Sequence, residues 1–221
     1  MNKKISVIMS AYNASRTLNN SIESILNQTY KNFEFLMVDD NSEDDTFKIM
    51  QKYKSKDKRI KVFKNDENIG LTKSLNFLIE NSDAEIIARQ DADDTSLEYR
   101  FEKQINYLDK YPAVTSRAFS IQSGKKIPGM SFYLPTYLTI KYKNPYIHGT
   151  LMINKKFLLS LGKYDENYKF AQDYKLFLEI RKKGFKIKSL KDTLYLLNTI
   201  DNISTNKKIE QKKYFDLARK E

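Results

Sequence analysis

The chain has 221 residues, 40% apolar and 30% charged, with a net charge of +11 and no cysteine. Such a chain can bury a real core as one good-sized soluble domain; disulfides and thiolate metal sites are excluded, and no run approaches the ~18 apolar residues of a membrane span. The charge favours anionic partners such as nucleic acid, acidic lipid or phosphorylated small molecules, although lysines spread along the whole chain also suit a solvated surface.

Lys3 and Lys4 ahead of "ISVIMSA" have the outline of a secretion signal, but Ser6 and Ser10 interrupt it and no convincing cleavage site follows. A buried first strand over 5–9 is expected instead. Leu18, Ile22, Ile25 and Leu26 then fall at helical spacing, with Asn13 or Ser15 as cap. "FEFLMV" (33–38) reads as a second strand. Ser42-Glu43-Asp44-Asp45 resembles a capping box opening a helix through Phe47, Met50 and Tyr53. Strands follow at 60–63 and 85–88, separated by a helix carrying Leu71, Leu75, Leu78 and Ile79, and a fourth helix spans 97–108. This alternation predicts a mostly parallel sheet wrapped by helices.

The second half is less regular. A strand is expected over 113–121, then a loop-rich stretch over 122–146 with Pro128, Pro135 and Pro145. A strand near 147–153, a helix over 173–182, a short strand at 185–187 and a Lys-rich helical tail from 205 complete the chain. Phe132, Tyr133, Tyr137, Tyr142 and Tyr146 could stack on sugars, but packing under the long loop is preferred.

In open parallel sheets, ligands bind beyond the carboxyl ends of the strands. Strand one ends at Ser10-Ala11-Tyr12-Asn13, strand two at Asp39-Asp40, and strand four at Asp91-Ala92-Asp93-Asp94. Five carboxylates on one rim repel. Helix capping can absorb Asp44 and Asp94, but not all of them. A divalent cation is the better remedy, since hard ions take carboxylate oxygens completed by substrate phosphates. Arg89 is expected to pair with the aspartates.

Six blocks then occur in order: "SVIMSAYNAS", "SILNQTYKNFEFLMVDDNSEDDT", "DENIGLTKSLN", "ARQDADDTSLEYRFEKQ", "HGTLMINKKFL" and "GKYDENYKFAQDYKLFLEI". Together they resemble the family 2 glycosyltransferases, inverting enzymes of the α/β GT-A fold. The resemblance implies that Ser10, Tyr12 and Asp40 serve the nucleotide, Tyr12 by stacking and Asp40 by bonding uracil. It implies that Asn68, Gly70 and Lys73 pass near the nucleotide and its phosphates. It makes Asp91 a donor contact, Asp93 the ligand of Mn²⁺ or Mg²⁺, and Asp173 the catalytic base. His148 stands on the acceptor side as a candidate for acceptor or phosphate. Two positions depart from the pattern: Gln172 replaces a common Glu, and "LYLLNTIDNIS" (194–204) lacks the usual arginines.

The resemblance implies transfer from a nucleotide-diphosphate sugar, UDP being favoured, to a glycan or lipid-linked acceptor in surface polysaccharide, lipopolysaccharide or glycan synthesis. The expected organisation is a transferase domain over 1–205 and a basic tail over 206–221 that could touch anionic membrane. The expected location is cytoplasmic, peripheral on the inner face. Two rivals remain. A sugar nucleotidyltransferase of related fold would show a Gly-rich loop after strand one, and "SAYNASRTL" has no glycine. A binder of nucleic acid or acidic surfaces would need a basic rim, and this rim is acidic.

Overall fold

The computed structural model describes residues 3–200 and 207–221. Ile5–Ala11 (β1), Phe33–Asp39 (β2), Ile60–Lys64 (β3) and Ile86–Arg89 (β4) lie side by side in the order β3-β2-β1-β4, all parallel. Leu18–Leu26 (α1), Thr46–Lys54 (α2) and Leu71–Glu80 (α3) connect them. Alternate β1 side chains feed opposite faces. Ile8 packs with Leu75 and Leu78 of α3, while Ile5, Val7 and Met9 pack with Leu18, Ile22 and Ile25 of α1. A strand covered on both faces reads as a continuous apolar run, which is why this half was legible.

Thr95–Ser96 (β5), Ala113–Ser120 (β6), Lys125–Ile127 (β7), Met152–Asn154 (β8) and Ile187–Leu197 (β9) extend the sheet to the order β3-β2-β1-β4-β8-β6-β9-β5, with β7 on β6. β8 runs antiparallel to both β4 and β6, whereas β6 and β9 are parallel. The helices of this half are Arg100–Ile105 (α4), Thr136–Thr139 (α5), Lys155–Ser160 (α6), Gln172–Lys182 (α7) and Lys208–Lys220 (α8).

Several elements differ from expectation. The helix expected from 97 starts only at Arg100, because Leu97 N–H bonds the Leu194 carbonyl and ties residues 95–97 to β9. The strand expected over 147–153 is a 3₁₀ turn, His148–Thr150, followed by the short β8. The strand expected at 185–187 is instead an eleven-residue β9. Its exposed Lys191 and Asp192 broke the apolar pattern, at a place where its register against β6 shifts between Ser116 and Phe119. The tail helix is not a free appendage: Phe215 stacks on Tyr174 of α7 with centroids 3.9 Å apart, and Ala218 is buried. The expected boundary at 205/206, and residues 201–204 of the 194–204 stretch, lie outside the described residues.

One buried carboxylate locks the edge opposite the strand ends. Burial alone would raise the Glu34 pKa, but bonds from Ser6 and the Asp83 N–H, with Lys61 and Lys4 beside it, hold it down to about 2. A depressed carboxylate stabilises above its unfolded pKa and loses that contribution as pH falls toward about 2. Glu34→Gln is expected to cost about 2 kcal/mol at neutral pH. Urea unfolding should show the loss at pH 7 and a shrinking difference in acid.

Candidate active site

The ends of β1 and β2 are sewn together. Asp40 N–H bonds the Ala11 carbonyl, Asn13 N–H bonds Ser42 Oγ, and Glu43 N–H bonds Asn13 Oδ1. Asn13 and Asn41 both have positive φ, the backbone that Asn tolerates best after Gly. Asn13 therefore caps no helix, and α1 starts after Thr17 instead. Asp44 accepts from Thr46 N–H at the start of α2 and from Ser15 N–H across the loop, but the N-cap of α2 is Asp45, which makes no side-chain cap bond, and the capping box expected over 42–45 does not form because Ser42 Oγ accepts from Asn13 N–H instead.

On this rim Ser10 is half-buried and Tyr12 exposed. Asp40 is itself buried, with its carboxylate already engaged. Oδ1 accepts from Asn65 Nδ2, Ile69 N–H and Ser74 Oγ, and Oδ2 accepts from Gly70 N–H at 2.9 Å. Asp40 thus ties the 65–70 loop to the strand end, leaving one Oδ2 lone pair for any ligand. Gly70 sits at φ 85° and ψ 161°, a region that only glycine adopts without strain. Asn68 and Lys73 flank it in solvent.

The acidic cluster separates into three environments. Asp91 forms an ion pair with the fully buried Arg89, as expected from their spacing. Asp94 caps no helix. Burial, then Asp91 and Asp93, hold its pKa well above the usual carboxylate range, and its Oδ1 accepts from Asn198 N–H at 2.7 Å. Asp93 is raised by burial and by Asp91, and among the described residues no side chain bonds its carboxylate. No group of three or more His, Asp or Glu side chains forms a metal cage among the described residues. A cation here would need oxygens from outside the chain, and Asp93, bonded among the described residues only by its own backbone N–H, suits that.

Asp173 lies in the first turn of α7, one residue inside the helix, whose N-cap is Ala171 at φ 54°. Burial lifts its pKa to about 6 against the opposing N–H bonds of Tyr174 and its own backbone, and the Asp91 charge lifts it further. Asn144 Nδ2 donates to Asp173 Oδ2 at 2.7 Å, while Asn144 Oδ1 accepts from Tyr146 N–H and so fixes the amide. His148 Nε2 lies 2.7 Å from the Tyr164 hydroxyl; burial and then Arg89 push its pKa well below the ordinary value, so it is neutral at pH 7. Arg89 acts on His148 and Tyr164, and Asp91 acts on Arg89, Tyr164 and Asp173, which places these groups around a single site.

The model of Glycosyl transferase family 2 matches residues 6–162, more than half of the chain. The chain belongs to glycosyl transferase family 2. It is 35% identical over 203 residues to EpsE of Bacillus subtilis, covering 87% of this chain and 72% of EpsE. It is 30% identical over 210 residues to the Escherichia coli UDP-Glc:alpha-D-GlcNAc-diphosphoundecaprenol beta-1,3-glucosyltransferase WfaP, covering 92% of this chain and 80% of WfaP. The mannosyltransferase PcManGT of Pyrobaculum calidifontis, solved with GDP-Man and Mn²⁺, shares the fold with a TM-score of 0.75 at 18% identity. The alignment covers 94% of this chain and 60% of PcManGT. This family 2 member is a glycosyltransferase with the GT-A fold.

Four further residues shape the site and were not singled out from sequence. Asn144 orients Asp173, and Tyr164 holds His148. Tyr195 Oη accepts from Asp91 N–H at 3.1 Å. Gly149 faces both: a Cβ there would lie 2.4 Å from Tyr195 Oη and 2.6 Å from Asp91 Oδ2. The Gly149 carbonyl accepts from the buried Arg100, which also donates to the Arg89 carbonyl. Gly149 directly follows His148 in a block already noted, which is the one signal that could have found it. Tyr164 likewise lies in a quoted block, whereas Asn144 and Tyr195 depend on contacts that local sequence does not encode. The loop aromatics also divide. Tyr146 packs in the core as expected, whereas Tyr133, Tyr137 and Tyr142 stand in solvent, with only Thr139 and Ile140 turned inward around α5.

Proposed function

We propose that the chain moves a sugar from a UDP-linked donor to a hydroxyl of a glycan or lipid-linked acceptor, with inversion, in the assembly of a surface polysaccharide. Asp173 carries the reading: a carboxylate kept basic by burial, aimed by Asn144, and within electrostatic reach of Asp91. In this reading Asp173 takes the acceptor proton as that oxygen attacks the anomeric carbon. The bond to the diphosphate breaks, its electron pair leaves with the nucleotide, and one displacement inverts the centre. Tyr12 stacks on the base, Ser10 and the loop bearing Asn68, Gly70 and Lys73 flank the nucleotide, and Asp91, braced by Arg89, holds the sugar side. Neutral His148 offers a hydrogen bond to acceptor or phosphate. Asp93 would hold Mn²⁺ or Mg²⁺, which when bound stabilises charge on the departing diphosphate. WfaP, named for a UDP-Glc donor and a lipid-diphosphate acceptor, and the Mn²⁺ in PcManGT support the choices of donor, acceptor and metal. A cytoplasmic location on the inner membrane face belongs to the same reading.

A screen of sugar nucleotides, read by release of free nucleotide, tests the donor; no release from any UDP-sugar sinks it. UDP is expected to bind several-fold more tightly with Mn²⁺ present, and Asp93→Asn is expected to abolish that increment. Calorimetric titrations of both proteins with and without the ion decide it, and a metal-independent affinity in the unmodified chain removes Asp93 as ligand. The basic tail keeps Lys207, Lys208, Lys212 and Lys213 in solvent, and although Phe215 stacks on Tyr174 of α7, Ile209 and Leu217 remain exposed beside the lysines.

A further inference from the structure

From Lys110 to Lys163 and on to Tyr164 the chain carries nine Lys and Arg and not one Asp or Glu. Within this acid-free span an apolar ridge stands in solvent. Met130, Tyr133, Leu134, Tyr137, Leu138 and Tyr142 are all exposed, Met130 by 90% and Tyr142 by 76%. They are six of the fifteen large apolar side chains exposed among the described residues, gathered in thirteen positions. Lys125, Lys126, Lys141 and Lys143 flank the ridge, exposed and without a carboxylate partner among the described residues. The ridge is held firmly. Arg117 is buried beneath it, donates to the Pro128 carbonyl at 3.1 Å and lies over the rings of Phe132 and Tyr133. On the other side Ile140 enters the core and its carbonyl accepts from the Tyr174 hydroxyl.

We propose that the 125–143 ridge docks this protein on an anionic lipid surface, with its Tyr, Leu and Met side chains at headgroup depth and its lysines on the lipid phosphates. Apolar patches of this kind cost free energy until covered. Tyr flanked by Lys is the composition of a membrane interface, whereas protein–protein interfaces are depleted in Lys. Each lysine near an anionic surface adds attraction, and the span itself carries no carboxylate to oppose it. The last apolar residue of the ridge, Tyr142, lies two residues before Asn144, which holds Asp173. Docking here, on the reading of Asp173 as base, brings a lipid-linked acceptor to the catalytic side without leaving the membrane.

The test is flotation of the full chain with phosphatidylcholine vesicles, with and without phosphatidylglycerol. Binding is expected only with phosphatidylglycerol and is expected to weaken with salt. Two variant sets, Tyr133→Ser/Leu134→Ser/Tyr137→Ser and Lys125→Gln/Lys126→Gln/Lys141→Gln/Lys143→Gln, should each lower it at least tenfold. A tail set, Lys208→Gln/Lys212→Gln/Lys213→Gln, should change it little. Unaltered unfolding temperature and UDP affinity in each set exclude a folding defect. No vesicle binding, or loss confined to the tail set, overturns the proposal. So does a dimer in solution that the ridge variants dissociate, since a second copy would then cover the ridge. Vesicle binding needs no turnover, so failure of the proposed reaction leaves this result readable on its own.

Discussion

Asp173→Asn is expected to lower kcat by roughly 10²- to 10⁴-fold, the range for a lost general base, while UDP affinity stays unchanged. Retained turnover in steady-state assays would remove Asp173 from the chemistry. The unmodified enzyme should gain activity with rising pH and level off above about 6, because only the carboxylate form accepts a proton. Asn144→Ala supplies the control. Its amide bond favours the charged form of Asp173, so losing it should raise the midpoint of the pH profile as well as lower kcat. A structural role alone would move the rate and leave the midpoint in place. Asp173 also carries a cost to folding: a carboxylate raised in the folded state destabilises the protein as pH climbs through 4 toward about 6. Asp173→Asn should therefore unfold at an equal or higher temperature, the signature of a site residue that is not there for stability.

Gly149→Ala is expected to be the most damaging single-methyl change near the site. The new Cβ meets Tyr195 Oη and Asp91 Oδ2 at 2.4 and 2.6 Å, and both neighbours are held by other bonds. Overpacking of this kind costs about 1–3 kcal/mol, and a displacement near 1 Å at a reacting site costs roughly 10²-fold in rate. Thermal unfolding and kcat/KM measure the two effects separately. Adding Tyr195→Phe removes the 2.4 Å clash with Oη but leaves the ring Cζ at 2.7 Å, so it should return only a small part of the stability and not the rate, since Asp91 remains displaced. A neutral Gly149→Ala would mean that the contact relaxes freely.

The donor half was legible because its strands are apolar on both faces and its helices keep one apolar stripe. Its polar rim followed from topology alone. The placement of Asp91, Asp93 and Asp94 was also legible, but not their division into an ion-paired carboxylate, one bonded by its own backbone N–H and a neutralised one. That division depends on Arg89 burial and on Asn198, more than a hundred residues away. Asp173 stood out only through family resemblance, since an aspartate opening a helix is ordinary; what distinguishes it is burial and Asn144, 29 residues upstream. β9 was hidden for the opposite reason. Its charged residues fall where the strand leaves its register, so the pattern looked like loop.

The short α5 is fastened to the body by Thr139, Ile140 and the Tyr174 bond, while its neighbours on both sides face outward. Such an attachment makes the 129–143 stretch, beyond β7 and the Pro128 carbonyl that Arg117 holds, a replaceable part. Substitutions and insertions there leave β1–β4 and the aspartates of the rim untouched, so on the proposed reading a lineage could change its acceptor, or where it works, without altering the donor rim. A chimera that exchanges this stretch with a relative's, keeping Ile140 and Asn144, is the natural way to retarget the enzyme.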